Sequence, residues 1–353
     1  MKEVNYKKIC EGLYTGEIVS LLNRIYEHKG KQDVLIATKA DVLQHLVEIA
    51  KIQSTDSSNR IEGIYTSNER LKLLVKDKTT PHNRDEQEIA GYRDVLLTIH
   101  QSHDYIPLKT GIILQLHRDL YKFSGKSIGG SYKTSNNSIE EEDSQGNKHI
   151  RFQPLDAWET PEAVEKICDA FNNAISNEHL EPLLIIPVFI LDFLCIHPFS
   201  DGNGRMSRLL TLLLLYRAGF TVGKYISVER LIERSKETYY EVLQTSSFGW
   251  HEGENNYSAF VRYSLGIILA AYRDLMSRKQ MLSTDEPSKS DRIRDIIEGT
   301  LGKITKREIL DDCPDISQVT VQRTLKDLLD VGDITKIGGG RYTEYTWNRG
   351  KDS

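Results

Sequence analysis

The sequence predicts a mainly α protein with one β-hairpin inserted among its helices and a small winged helix-turn-helix domain at its end. Three observations lead there. Apolar residues recur at helical spacing through most of the first 275 positions. A polar stretch, Tyr132–Pro154, interrupts them with Asp143-Ser144-Gln145-Gly146-Asn147, which turns between two short extended arms. Beyond a polar, proline-bearing segment the pattern changes to three short helices and two strands.

Asp41 to Ile52 places Leu43, Leu46, Val47 and Ala50 on one helical face. Similar stripes run through Glu86–Ser102, Thr110–Tyr121, Pro161–Ser176 and Tyr257–Met276. The most apolar run, Leu183–Ile196, is interrupted by Pro187 and Asp192 and is too short for a bilayer, so it predicts a buried core helix. Leu282 to Ser290 predicts a linker. After it, Asp291–Glu298 and Thr305–Leu310 predict short helices, and Ser317 caps a longer one that carries Val321, Leu325, Leu328 and Leu329 on one face. Ile334–Ile337 and Arg341–Trp347, joined through Gly338-Gly339-Gly340, predict a hairpin wing. The expected domains are a helical N-terminal region (1–100), a central helical domain (101–280), the linker (281–290) and the winged-helix domain (291–353).

Of 353 residues, 39% are hydrophobic and 27% charged, an ordinary globular composition. The net charge of -5 excludes a wholesale polyanion binder but leaves room for a local basic patch. Four scattered cysteines without a C-x-x-C argue against a disulfide framework or a thiolate zinc site. No signal-like or membrane-spanning stretch stands out, so a cytoplasmic protein without a membrane partner is expected.

Chemistry concentrates in His197-Pro198-Phe199-Ser200-Asp201-Gly202-Asn203-Gly204-Arg205-Met206-Ser207-Arg208, between two apolar helical runs. Two glycines let main-chain N–H groups approach an anion, and a helix beginning near Asn203 turns its positive end to the same point. Arg205 and Arg208, three residues apart, can project from one side of that helix with planar, paired donors suited to phosphate. Asp201 is a hard oxygen ligand for Mg2+ beside phosphates. His197 can accept a proton near neutral pH.

This stretch resembles the Fic family motif H-P-F-x-D-G-N-G-R-x-x-R at every specified position. The resemblance implies a Fic-type helical domain, with the hairpin as its flap, and protein adenylyltransferase (AMPylation) chemistry. His197 would deprotonate a hydroxyl that attacks the α-phosphate of ATP. Asp201 would hold Mg2+, Gly202, Asn203, Gly204 and Arg205 would cradle the phosphates, and Arg208 would grip the γ-phosphate. Gly204 favours adenylyl transfer over the kinase-like reaction of relatives with lysine there, while phosphocholine and uridylyl transfer stay open. Ser207 departs from a frequent glycine, at a variable position.

A second stretch, Ser58-Asn59-Arg60-Ile61-Glu62-Gly63, resembles the family's inhibitory helix: Ser or Thr, three variable residues, Glu, then Gly or Asn. Glu62 would pair with Arg208 and displace the γ-phosphate. The plainer reading is a capping box, Asn59 with Glu62. The flap would dock a target protein by strand addition, and Tyr240 would line the nucleoside pocket.

From Ser288 to Ser353 there are 12 Lys/Arg and 12 Asp/Glu, so DNA binding through Arg323, Lys326, Lys336 and Arg341 competes with protein docking. Two functions are expected from these residues: a self-restrained AMP-transferase, or a winged-helix regulator whose Fic part is a nucleotide-responsive scaffold. The oligomeric state stays open.

Overall fold

The computed structural model describes residues 4–38, 40–76, 79–125, 128–142, 148–281, 288–300, 303–340 and 343–348. Helices α1 (Tyr6–Glu11), α2 (Gly16–Thr38), α3 (Ala40–Ile61), α4 (Asn68–Lys76), α5 (Arg84–Ser102) and α6 (Thr110–Leu120) precede strands β1 (Ile139–Glu142) and β2 (Lys148–Phe152). Then follow α7 (Thr160–Ser176), α8 (Pro182–Ile196), α9 (Asn203–Arg217), α10 (Val228–Arg234), α11 (Lys236–Ser247) and α12 (Ser258–Met281). The chain divides into two compact units, 1–40 with 50–273, and 41–49 with 274–353. This differs from the expected three domains. The first 100 residues are not a unit of their own, because α5 packs on both α6 and α9. Most of the expected linker, 282–287, lies outside the described residues.

α8 forms the centre of the first unit. It is apolar all round, as a helix surrounded by others must be, and its residues Leu183 to Phe193 are all buried. Pro182 opens it at a position where a missing N–H costs nothing, and the Glu181 side chain accepts from the Leu183 N–H. α7 and α9 pack against it. The hairpin forms as expected: β1 and β2 are antiparallel, with Ile139 opposite Phe152, Glu140 opposite Ile150, and a bulge between Ile139 and Glu140. Its turn residues, 143–147, are outside the described set. No helix among the described residues is long and apolar enough to cross a membrane.

In the second unit, α13 (Lys289–Gly299) and α14 (Lys306–Asp312) each begin with a capping box, Ser288 with Asp291 and Thr305 with Glu308. Ser317 caps α15 (Gln318–Val331), and Gly332 at φ 75° ends it. Ile293, Ile297, Ile309, Val321, Leu325 and Ile334 share one core. The sheet is three-stranded: a short β3 (Ile304–Thr305) and β4 (Ile334–Ile337) flank β5 (Glu344–Trp347), both antiparallel to it.

Candidate active site

α8 ends at His197, whose backbone turns left-handed (φ 51°), and α9 starts after Gly202 (φ 85°). The five residues between are held rigidly. Phe199 donates its N–H to the Asn203 Oδ1 at 2.9 Å, and Asn203 Nδ2 returns a bond to the Phe199 carbonyl at 2.7 Å. Beneath the loop, the Phe199 ring stacks on His117 at 3.7 Å. His117 accepts at Nδ1 from the Gly130 N–H, so its Nε2–H donates to the Asp201 carbonyl, each at 3.0 Å. Burial pushes this imidazole down to about 4, and it is neutral at pH 7. A Cβ on Gly202 would stand 3.0 Å from the Tyr121 hydroxyl, so glycine there answers both the left-handed backbone and the close approach.

The two arginines of α9 have different surroundings. Arg205, 1% exposed, gives Nη2 to Glu88 at 2.8 Å and to the Tyr121 hydroxyl at 2.7 Å, with Asp201 Oδ1 at 3.6 Å. Its Nε and Nη1 have no hydrogen-bond partner among the described residues. Arg208 meets the last turn of α3. Its Nε donates to Ser58 Oγ at 2.8 Å, and its Nη2 to the Ser58 carbonyl at 2.9 Å and to Glu62 Oε1 at 2.7 Å. Burial works against the charge on Arg208 and Glu62 works for it; the net shift of its pKa is upward. The capping-box reading of Asn59 and Glu62 fails here, since α3 ends at Ile61 instead of starting, and Gly63 (φ 78°) terminates the turn.

A cleft of about 710 Å³, partly open to solvent, gathers Glu62, His197, Gly204, Arg208 and Tyr240. Gly202, Asn203 and Arg205 do not line it, and Asp201 lies at the loop, its side chain 40% exposed. Tyr240 is half-buried at the wall while its neighbour Tyr239 is in the core. The flap contributes Arg151 and Phe152, which the sequence reading missed; Arg151 stands over the Tyr240 ring at 5.1 Å. Their inward side was legible only once the hairpin register was known. A Cβ on Gly204 would fall 2.2 Å from Glu62 Oε1, so the carboxylate occupies the space directly above the start of α9. Burial, with Lys133 nearby, pushes the His197 imidazole down to about 4, against a backbone hydrogen bond to Leu194.

Residues 107–215 match the model of the Fic/DOC family. That segment is thus similar to a Fic domain. A protein adenylyltransferase Fic of Nematostella vectensis is 26% identical over 241 residues, 65% of this chain and 51% of that protein. The corresponding protein of Culex quinquefasciatus is 25% identical over 251 residues, 67% of this chain and 45% of its own. The chain thus spans about half the length of the curated relatives it matches. Among solved structures, a Fic family protein from Desulfovibrio desulfuricans superposes with a TM-score of 0.62 at 23% identity, covering 95% of this chain and 97% of that one. A Fic domain containing signaling protein from Bacteroides thetaiotaomicron gives 0.61 at 23%, covering 77% and 99%. The fold around the cleft is therefore the Fic fold.

Proposed function

We propose that this protein transfers AMP from ATP to a Ser, Thr or Tyr hydroxyl of a target protein in the cytoplasm, and that Glu62 restrains it at rest. The observation that carries the reading is Arg208 Nη2 paired with Glu62 Oε1 at 2.7 Å, within the cleft that also holds His197 and Tyr240. One guanidinium, two of whose nitrogens are already engaged by Ser58, cannot serve both that carboxylate and a γ-phosphate fully. When Glu62 leaves, the opened space above Gly204 and the free N–H groups at the start of α9 face the phosphates. Neutral His197 then takes the proton of the target hydroxyl. The oxygen bonds to the α-phosphorus, the bond from that phosphorus to the bridging oxygen breaks, and pyrophosphate departs. Tyr240 offers its ring to the base. The target segment is taken up along β1 and β2 by strand addition, and the C-terminal unit recruits a protein partner.

Among the described residues, no group of three or more His, Cys, Asp and Glu side chains forms a metal site. A single exposed carboxylate, Asp201, nevertheless fits Mg2+, which usually takes one or two carboxylates together with phosphate oxygens. When bound, Mg2+ supplies charge neutralisation to the phosphates. The deciding experiment incubates wild type, Glu62→Gly and His197→Ala/Glu62→Gly with α-labelled ATP and Mg2+, following auto-modification and lysate proteins. Losing one charge-assisted bond, roughly 1.5–3 kcal/mol, predicts a gain of about one to two orders of magnitude in Glu62→Gly. Removing the base takes about 10²–10⁴-fold back. Glu62→Gly no faster than wild type would return Glu62 to a helix-terminal role and favour the scaffold reading.

A further inference from the structure

The left-handed backbone of His197 needs an explanation, because that region costs an L-residue roughly 1–2 kcal/mol. The explanation lies in the stems of the flap. The Leu155 N–H, just past β2, reaches the Cys195 carbonyl at 3.4 Å. Before β1, Lys133 Nζ donates to the Ile196 carbonyl at 3.1 Å and the Lys133 N–H to the Pro198 carbonyl at 2.9 Å. Asn137 Nδ2 reaches the Phe199 carbonyl at 3.4 Å, and Asn137 Oδ1 accepts from Lys133 Nζ at 3.0 Å. Of the carbonyls at the end of α8, Phe193 accepts from the His197 N–H, while Cys195 and Ile196, which no helical N–H satisfies, are taken by the stems. One residue, Lys133, holds the carbonyls on both sides of His197. It is 3% exposed, and nothing in the catalytic scheme above uses it.

We infer that Lys133 is a positioning residue for the base: it fixes the His197 backbone from both sides and brings its ammonium to the carbonyl just before it. This deepens the transfer reading and rests on His197 being its base. The groups that face the imidazole are Lys133 from the first stem, Arg151 from β2, Glu62 from the end of α3, and Arg208, which lines the same cleft from α9. Burial depresses the imidazole most, and Lys133 comes next; Arg151 acts the same way and Glu62 opposes them. Burial also pushes Lys133 down, to about 8, with Asp156 opposing, so it is still largely charged at pH 7. The sign follows. Removing the ammonium raises the His197 pKa, protonates more of the base at a given pH, and moves the acid limb of transfer to higher pH. Because the ammonium acts on the base and not on the phosphates, nucleotide binding is spared. The arrangement also ties the base to the element that receives the target, since both stems of the flap end on the same loop.

The test uses the full chain with Glu62→Gly, so that turnover is measurable. Lys133→Met is expected to lower kcat by about tenfold or more, as a misaimed base does, with KM for Mg-ATP within about twofold. The acid limb should rise by roughly half a pH unit or more, and Lys133→Arg should restore most of both. Direct titration of the His197 ring by NMR in ¹³C-labelled protein reads the same shift without turnover. Lys133→Gln keeps a donor without the charge and replaces the Met variant if that one does not fold; the ring should still titrate higher. Unchanged kcat and an unmoved His197 titration would overturn the assignment. Absence of any transfer by the Glu62→Gly parent would instead sink the transfer reading, and the NMR titration would still judge Lys133.

Discussion

Arg205 and Arg208 leave the same helix three residues apart, and the regions they enter differ in kind. Around Arg205 is a floor: Glu88, Tyr121, His117, Phe199 and Asn203, buried or nearly so, joined by short bonds and a ring stack. Around Arg208 is a rim, where one guanidinium is held by Ser58 and by a Glu62 that remains 32% exposed. The floor consists of groups that lose heavily when one partner is removed, because each is cut off from water. At the rim, the bond to Glu62 is one that solvent and a ligand's phosphate can both replace, while the two bonds to buried Ser58 are not. Identical side chains at helical spacing therefore sit differently: one fixes the loop, and the other meets the carboxylate that we propose as the latch.

The largest effect that sharpens this contrast is expected from Arg205→Ala. It takes the buried cation from Glu88, 2% exposed, whose other carboxylate oxygen keeps the exposed Arg84 at 3.0 Å, and breaking a buried pair typically costs about 3–5 kcal/mol. Urea denaturation should show it, whereas Arg208→Ala should be milder because Glu62 can turn to water. Replacing Arg205 and Glu88 together by methionine should recover most of the stability, since a buried pair is often no better than apolar packing. That double variant also asks whether the unpartnered Nε and Nη1 of Arg205 serve the phosphates. If it folds and binds Mg-ATP as wild type does, Arg205 belongs to the floor alone.

Acid comes next and acts on both regions, because His197 of the cleft, like His117 of the floor, is held at about 4. Burial holds His117 at about 4 and His100 at about 3, against an ordinary value near 6.5. Between those limits the unfolded chain binds protons that the folded one refuses, so stability falls as pH drops from about 6.5 toward 4. Each histidine contributes a slope approaching 1.4 kcal/mol per pH unit, roughly, inside that window. Urea midpoints at pH 7 and pH 5 measure it. Equal midpoints would mean that these imidazoles are not held neutral, and the floor would be wetter than its geometry implies.

The sequence made the latch legible more readily than the floor. Ser58 and Glu62 stand just before a glycine at the spacing of one short family motif, and His197 to Arg208 is one continuous stretch matching another, so resemblance to contiguous motifs selected them. The helix starts at Thr305 and Ser317 were equally local, because a capping side chain bonds within three residues of itself, whereas Ser288–Ser290, expected as linker, already cap and open α13. Glu88, Tyr121, Lys133 and Arg151 gave no such signal. Each reaches the site across dozens of intervening residues, and Arg151 needs the hairpin register to turn inward. The short β3 escaped for the same reason, since its two residues are a strand only by virtue of β5. The inclusion of 41–49 with the C-terminal unit follows likewise from distant contacts.

The smallest expected effect probes how the latch is itself held. α3 ends at Ile61, one residue before Glu62, and the Ile61 carbonyl accepts from Lys236 Nζ at 2.9 Å. A cation at a helix C-terminus stabilises it both by that bond and by the dipole, but Lys236 is exposed, which limits the gain to about 0.3–1 kcal/mol. Lys236→Met should therefore loosen the last turn of α3 slightly and release Glu62 more often. Basal auto-modification is expected to rise by roughly two- to fivefold, the factor corresponding to that energy. In the Glu62→Gly background the same substitution should add nothing, because the latch it supports is already gone. Lys236 also lies 5.8 Å from the Tyr240 ring centre, so an effect on nucleotide binding would appear in both backgrounds alike. A gain confined to the wild-type background identifies the end of α3 as the adjustable element; equal changes in both place Lys236 with the nucleoside wall instead.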